Sequence, residues 1–528
     1  MDDEKTIIGK HILGSLTTSM YTNPLFIYRE YIQNAADQID ALRSQGANSE
    51  KKRERIIVQI DKTSREITIL DYATGVQSAK FVKTLKDIAD SRKDAKRNKG
   101  FRGIGRLGGL AYCEKLIFET SYPGETKKSR MTWDASKLRK RISDSRDGAT
   151  AVDIVDAVTR VEHENCASEE YYFKVILRQV LPEREDLLDE ETVRDYISKY
   201  CPVSFDSAKF PFASKIEKYA ASKGHKMDVY DIRVNGESVY KPYKRTLKGQ
   251  GGIEDDVVDI SFFDFRDEKT ERFFAWGWVA LTKFSTALVK SENPVRGIFL
   301  RKANILIGNE DTLSVFHPED RGNNYFIGEI HAIDEELIPN SSREYFDKNR
   351  ACEYFESKIR AYFKDRLLVL YRNANRYKGN IRKTNTAIVL AQNLKKASFP
   401  TEKQKKEAIK NLAIQKAEAD KARKENEKLS ERNQIGDAMT TVFTAIERAL
   451  NVAEKFPDVL PEPLTDSPNT MPYPKGDGLR KPIIPETFSD ETKKTLEIVA
   501  VVLKMKFRQE MAYELLQQIV GMIENDDE

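Results

Sequence analysis

The chain has 528 residues and a mass of 60.6 kDa, more than one hydrophobic core organises, so several domains are expected. Lys and Arg number 88 against 84 Asp and Glu, a net charge of +4, which excludes a polycation coating nucleic acid along its whole length and confines any such binding to a local patch. With 40% hydrophobic and 33% charged residues and a mean hydropathy of −0.59, the composition is that of a soluble globular chain with additional charged helix. The longest apolar run, 498–503, is closed by Glu497 and Lys504, and the acidic start MDDEK precedes no signal core, so neither a membrane span nor secretion is expected. Four scattered cysteines without a CxxC pair give no disulfide framework or zinc site, and five histidines without HExxH exclude a zinc metalloprotease. A cytoplasmic location is the expectation.

The first zone, 1–205, mixes amphipathic helices with short strands and holds every Gly-rich motif. NPLFIYREYIQNAADQIDAL (23–42) predicts a helix with Asn23 as N-cap, Pro24 at its first position, and Ile32, Ala36 and Ile39 on an apolar face. Glu30, Asn34 and Asp37 fall at i, i+4 and i+7 on the other face. Such a stack can hold a hydrated magnesium through the Asn carbonyl while a carboxylate activates water; a solvated face is the plainer alternative. IIVQI (56–60) and EITILD (66–71) predict a hairpin whose second strand runs into DYATGV (71–76). Asp71 at a strand end, with Gly75 four residues on, suits an exocyclic amine and a flat ring lying against backbone, although an ordinary turn uses the same residues. Next, 86–102 carries seven basic residues against three acids, a mobile lid over phosphates or a solvated loop. GFRGIGRLGGLAY (100–112) then offers backbone amides for a phosphate nest, without the Gly-Lys-Ser/Thr of a P-loop or the preceding strand of a dinucleotide fingerprint.

The second zone, 206–348, is rich in strand-like runs (229–240, 272–281, 297–308) and reads as an α/β domain. The third, 349–455, is helical in pattern. Its Lys/Glu/Ala-rich stretch over 402–432 is followed by an amphipathic stripe of Ile435, Met439, Val442, Ile446 and Ala449. Residues 456–489 form a linker with eight of the 18 prolines, and 490–528 predict one amphipathic helix with Leu496, Val499, Leu503, Phe507, Met511, Leu515, Ile519 and Met522 on its stripe.

The order of these motifs, a Glu-x3-Asn-x2-Asp helix, a strand-terminal Asp-x3-Gly, a basic lid and a Gly-x2-Gly-x-Gly loop, resembles the GHKL ATPase superfamily of gyrase B, heat-shock protein 90, histidine kinases and MutL. Within it the chain is most similar to heat-shock protein 90. ILGSLTTSMYTNPLFIYREYIQNAADQIDALRS (12–44), LKDIADS (85–91), the tail of the first zone (171–205) and GEIHAIDEELIPNSSREYF (328–346) all match that family's pattern, so the resemblance covers about residues 10 to 350. It implies an α+β architecture: a Bergerat-fold α/β sandwich over 1–205, a transducer-like α/β middle domain over 206–348 and a helical C-terminal region.

By the same resemblance Glu30 is the general base for the attacking water, Asn34 the magnesium ligand, and Asp37 a pocket residue. Asp71 reads the adenine amino group and Gly75 packs under the base. Gly100, Arg102, Gly103, Ile104 and Gly105 wrap the phosphates, and Arg343 reaches the γ-phosphate from the second domain. ATP and Mg2+ are the implied cofactors, and the implied function is a chaperone-like ATPase driven through lid closure and domain docking. Ala73 in place of a Gly, Gln38 in place of a small residue, and a strand YYFKVIL without the Thr that usually contacts adenine depart from the family pattern. So does Asp347 near the position of a catalytic-loop Gln. A homodimer joined through the apolar stripes of 435–455 or 490–523 is expected, with a protein client or effector as partner. Two alternatives stay open: a DNA-handling clamp of the MutL or MORC kind, with nucleic acid as partner, and a non-hydrolysing ATP-sensing scaffold.

Overall fold

Two aromatic-rich sheets and a set of long helices account for the architecture in the computed structural model, which describes residues 7–17, 23–44, 54–88, 99, 103–319, 321–431, 436–450, 488–506, 515–520 and 522–523. The chain divides into two units, Met1–Leu460 and Pro461–Glu528. In the first, the elements run α1 (His11–Thr17), α2 (Phe26–Ser44), β1 (Arg55–Asp61), β2 (Glu66–Asp71), α3 (Ser78–Lys86), β3 (Cys113–Ser121), β4 (Lys127–Asp134), α4 (Ala135–Ser143), α5 (Ala151–Val158), β5 (Thr159–Asn165), β6 (Tyr172–Val180) and α6 (Glu190–Tyr200). There follow α7 (Ala213–Ser222), β7 (Asp231–Val234), β8 (Glu237–Ser238), β9 (Thr246–Lys248), β10 (Glu254–Asp256), β11 (Asp259–Arg266), β12 (Phe273–Leu281), β13 (Gly297–Lys302), β14 (Ile305–Leu306) and β15 (Ile327–Ala332).

The predicted hairpin is present as β1 and β2, antiparallel with Ile60 opposite Ile67. It sits in an eight-stranded sheet ordered β5-β4-β3-β6-β2-β1-β7-β8, antiparallel except where β7 runs parallel to β1. Alternation drives this: Ile56 and Val58 of β1 are fully buried while Ile57 and Gln59 are not. Helix α2 lies over the sheet with Ile27, Ile32, Ala36 and Ile39 at 0% exposure, and the apolar face expected of it is the floor of the first core.

A five-stranded sheet, β11-β12-β15-β13-β14, forms the second domain. The chain does not pass cleanly from one core to the other at residue 205. Phe205, Phe210 and Ile216 belong to the second core, but Tyr230, Ile232, Val234 and Val239 return to the first, where β7 extends the sheet beside β1. The 229–240 strands, expected in the second domain, are therefore edge strands of the first. Period-two alternation identifies a strand but carries no information on which sheet will pair with it. The second core closes over Glu329 of β15, which is wholly buried and accepts from Lys241 Nζ (2.7 Å), Tyr243 OH (3.0 Å) and Arg301 Nε, with His331 Nε2 at 3.0 Å. Burial opposes its charge, but Arg301 and Lys241 hold the carboxyl well below the ordinary range.

Helix α8 (Arg350–Tyr362) continues through a π turn at Phe363–Leu367 into α9 (Leu368–Lys396), against which α10 (Glu402–Glu431) and α11 (Asp437–Leu450) pack. The stripe expected to be open for dimerisation is covered within the chain. Met439, Val442, Phe443 and Ile446 join the second domain's core, and the Phe443 ring stacks on Tyr377 at 3.9 Å. Ile435, at its start, lies outside the described residues. In the second unit, α12 (Asp490–Lys506) and the helical stretch 515–520 share one small cluster containing Leu496 and Leu516. Twenty residues of straight helix would separate those two by about 30 Å. Leu496 and Leu516 therefore lie closer than the single helix expected over 490–528 allows, and Ile498, Val502 and Met522 are exposed.

Candidate functional site

Helix α2 presents the polar residues from its first turns. The Asn23 side chain accepts from the Leu25 N–H at 2.9 Å, capping the helix start that Pro24 occupies. Glu30 is only 7% exposed, and its Oε1 has no hydrogen-bond partner. Two cations face that oxygen instead, Arg29 Nε at 3.6 Å and Arg343 Nε at 3.7 Å. Asn34 is half-buried one turn on, and Asp37, buried, accepts from the Lys99 N–H at 2.8 Å.

The side expected to read the base is built from the end of β2. Asp71 is 2% exposed, and burial pushes its carboxyl up to about 7 against the opposing hydrogen bond from the Ala73 N–H. The backbone turns at Gly75 with φ +64°, where a Cβ would stand 2.0 Å from the Ser121 carbonyl oxygen. Only glycine fits this approach. Thr120 of β3 fixes the turn from below, accepting from the Val76 N–H (3.0 Å) and donating to the Tyr172 carbonyl (2.7 Å). Two of the departures from the family pattern are accommodated. Ala73 packs into the core at 1% exposure, and Gln38 accepts from the Thr74 hydroxyl at 2.7 Å, tying α2 to the turn.

The glycine loop closes the other side. Gly103 has φ +71°, and 105–111 form a 3-10 turn laid on α2. The fit is tight: a Cβ on Gly105 would lie 2.1 Å from Glu30 Oε2, and one on Gly108 would lie 2.6 Å from the Phe26 ring. Tyr31 clamps the loop by donating to the Arg106 carbonyl (3.0 Å) and accepting from the Gly109 N–H (3.1 Å). Gly100 and Arg102, with most of the basic lid, lie outside the described residues.

Arg343 arrives from the second domain on a tight loop in which Asn340 accepts from the Arg343 N–H (3.1 Å) and its side chain accepts from the Glu344 N–H (3.0 Å). At φ +59° and 7% exposure the residue is held in a left-handed conformation against the first domain. Its guanidinium meets Glu30 and donates to the Lys99 carbonyl, while Arg29 donates to the Ser342 carbonyl at 3.4 Å. The structure thus gathers Glu30, Asp37, Gly105 and Arg343 around one buried focus through Lys99, with Asn34 half-buried on the same helix and Asp71 and Gly75 at the turn that follows β2. Asp347 is exposed beyond the loop.

Lys99 was visible in sequence only as one member of a basic run. It proves to be a buried junction, with its backbone on Asp37 and Arg343 and its ammonium on Asp40, 3.7 Å from Asp228. Arg29, buried beside Glu30, was also missed, although a cation next to that carboxylate is a signal. Among the described residues no group of three or more His, Cys, Asp or Glu could hold a metal by itself. The residues fit a magnesium carried with phosphates and touched by one protein oxygen, Asn34, rather than an all-protein cage. No helix among the described residues is long and apolar enough to cross a membrane.

Residues 29–165 match the family described as histidine kinase-, DNA gyrase B- and HSP90-like ATPase. The chain is 23% identical over 276 residues to the chaperone protein HtpG of Psychrobacter arcticus, which covers 48% of this chain and 38% of that protein. It is 24% identical over 233 residues to HtpG of Burkholderia cenocepacia (41% and 33%), and 29% identical over 140 residues to HtpG of Acinetobacter baylyi (23% and 22%). The matched part thus spans between about a fifth and two fifths of the length of these relatives. A large antiparallel sheet carrying a Glu–Asn–Asp helix, a buried strand-end aspartate and a glycine loop agrees with that match, and residues 29–165 form a domain like those of the histidine kinase-, DNA gyrase B- and HSP90-like ATPases.

Proposed function

We propose that the chain binds ATP with Mg2+ and hydrolyses it, using the cycle to open and close the junction between its first two domains in the manner of a chaperone-like machine. The observation that carries this reading is Arg343 of the second domain standing 3.7 Å from the buried Glu30 of the first. A base and a cation supplied by different domains meet only when those domains dock, which couples chemistry to conformation.

In this reading Asp71 accepts from the adenine amino group and the Gly75 turn lets backbone lie against the ring. Glu30 takes the proton of the water that attacks the γ-phosphate through Oε1, which accepts no hydrogen bond and becomes available once Arg343 swings from it to the phosphate. Arg343 then balances charge on the transferring phosphoryl group, and ADP and inorganic phosphate leave. Asn34 would hold the magnesium, which when bound neutralises phosphate charge and orients the terminal phosphoryl group. The glycine loop keeps the Glu30 carboxylate pressed toward the phosphates. With the 439–446 stripe covered, dimerisation falls to the exposed apolar residues of the C-terminal unit, and clients or effectors bind elsewhere on the chain.

The test is magnesium-dependent ATP hydrolysis by the full chain beside Glu30→Ala and Arg343→Ala, with mass by light scattering at high protein concentration, with and without a non-hydrolysable ATP analogue. Turnover in wild type, lost in both variants while Glu30→Ala still binds nucleotide, is the expected result. Binding without turnover would favour the ATP-sensing scaffold, absence of binding would overturn the site, and a monomer under both conditions would overturn the dimer.

A further inference from the structure

The charge of this chain is concentrated in one place. From Leu368 to Glu431 the α9–α10 hairpin carries sixteen basic and seven acidic residues, a net of +9 where the whole chain carries +4, so all the rest together is net acidic. Helix α9 contributes seven cations and no acid.

The hairpin is a rod with its own small core. Near the domain the helices are joined by Asn380, whose amide donates to Asn426 Oδ1 at 2.9 Å, and by Arg376 to Glu425 at 3.4 Å. Towards the tip Ala391 and Leu394 meet Leu412 in a cluster completed by Leu390, Phe399 and Ala408, all from the hairpin itself. The domain core follows α9 only as far as Ile381, and α11 reaches it last at Asn385, which donates to the Leu450 carbonyl. The remaining turns of α9, about 20 Å at 1.5 Å per residue, extend beyond that support.

On α10, Lys403, Lys406, Lys410, Lys421, Lys424 and Lys428 follow steps of three, four, eleven, three and four. At 100° per residue they fall within a 60° arc, with Ile414 and Ala417 filling the gap, so they form one outward stripe about 37 Å long. All six are exposed, and among the described residues none lies within ion-pair distance of a carboxylate. Arg382, Lys383, Lys395 and Lys396 of α9 are likewise exposed and unpaired. Ten exposed cations without an ion-pair partner among the described residues repel one another on a two-helix rod, and a bound polyanion relieves that repulsion.

We infer that this hairpin docks on the phosphate backbone of double-stranded nucleic acid. Lysines are point charges suited to phosphates without base selection, and the stripe is as long as about one turn of a duplex carrying one charge per ~1.7 Å. Helix α10 has no aromatic side chain, the outer half of α9 has none, and Phe399 at the tip packs into the hairpin's own core, so the lysine stripe has no aromatic row on which unpaired bases would stack, which sets single strands aside. A membrane surface would call for an apolar face beside the lysines, and the stripe holds only Ile414 and Ala417. The inference stands independently of ATP hydrolysis.

The experiment is fluorescence anisotropy of a labelled 30-base-pair DNA duplex with the full chain, without nucleotide, from 50 to 200 mM salt. Six phosphate contacts give a slope of log affinity against log salt of about −5. The variant Lys403→Gln/Lys406→Gln/Lys410→Gln is expected to lower that slope by about three and to weaken binding at 100 mM salt at least tenfold, with its thermal melt and ATP binding unchanged. Three results would overturn the proposal: no duplex binding at 50 mM salt, an unchanged slope in the triple variant, or tighter binding to vesicles of mixed anionic and zwitterionic lipid or to poly-glutamate than to the duplex.

Discussion

On the proposed function, Asp71 couples nucleotide recognition to pH and to stability in opposite senses. A carboxyl buried to 2% exposure and titrating at about 7 is half protonated near neutrality. If the ionised form alone accepts from the adenine amino group, affinity falls as protons compete, and the dissociation constant for magnesium-saturated ATP rises about tenfold between pH 8 and pH 6, or about 1.4 kcal/mol. Without nucleotide the sign reverses. The folded value lies above the ordinary 3.8, so the folded state holds the proton more tightly than the unfolded chain, and stability present below pH 4 is lost as pH rises through 7. The gap corresponds to at most about 4 kcal/mol. Asp71→Asn keeps the shape and the Ala73 hydrogen bond without the charge, so it stabilises the nucleotide-free protein at pH 8, leaves it unchanged at pH 4, and abolishes ATP binding. Calorimetric titration of ATP from pH 6 to 8, with chemical denaturation of both proteins, reads all three. A dissociation constant that does not change with pH in the wild type, or a destabilised Asp71→Asn at pH 8, would refute the reasoning.

Other substitutions separate site from scaffold. Gly105→Ala places a methyl group 2.1 Å from Glu30 Oε2, so the carboxylate must shift; steady-state kinetics should show kcat reduced at least tenfold with ATP affinity nearly kept. Phe443→Ala removes a ring stacked on Tyr377 and costs about 3–5 kcal/mol, which hydrogen exchange should register as lost protection over 437–450 without change at α2. Glu329→Ala leaves Lys241 and Arg301 buried without their counter-charge and costs about 3–5 kcal/mol in denaturant unfolding, more than Glu329→Gln.

Much of the first domain was legible in the chain. Asn23 and Pro24 start α2 because a cap and a ring-fixed φ act within one turn, and Glu30, Asn34 and Asp37 share a face because 3.6 residues make that turn. Gly75 was expected to let backbone lie against a flat ring, and the close approach found at it is to the Ser121 carbonyl. Less could be read where an element's partner lies far along the chain. The strands at 231–238 look like any pair of alternating strands, and their place beside β1 rests on a parallel pairing across more than 170 residues. The 439–446 stripe was expected as a dimer surface, and Tyr377 and the second sheet cover it instead. Lys99 looked like one more lid cation, yet its carbonyl joins the two domains at Arg343.

The sequence by itself determined the local matters: which residues cap, turn and alternate, the spacing that lines carboxylates on one helix face, and the uneven charge that loads one hairpin. These follow from backbone geometry and side-chain chemistry within a few residues. The tertiary structure alone decided which strand joined which sheet, which apolar stripe was buried, and that an arginine from residue 343 would stand against a glutamate at residue 30. Those outcomes depend on competition among distant surfaces for burial, where many partners satisfy the same local pattern and only the packed whole selects one.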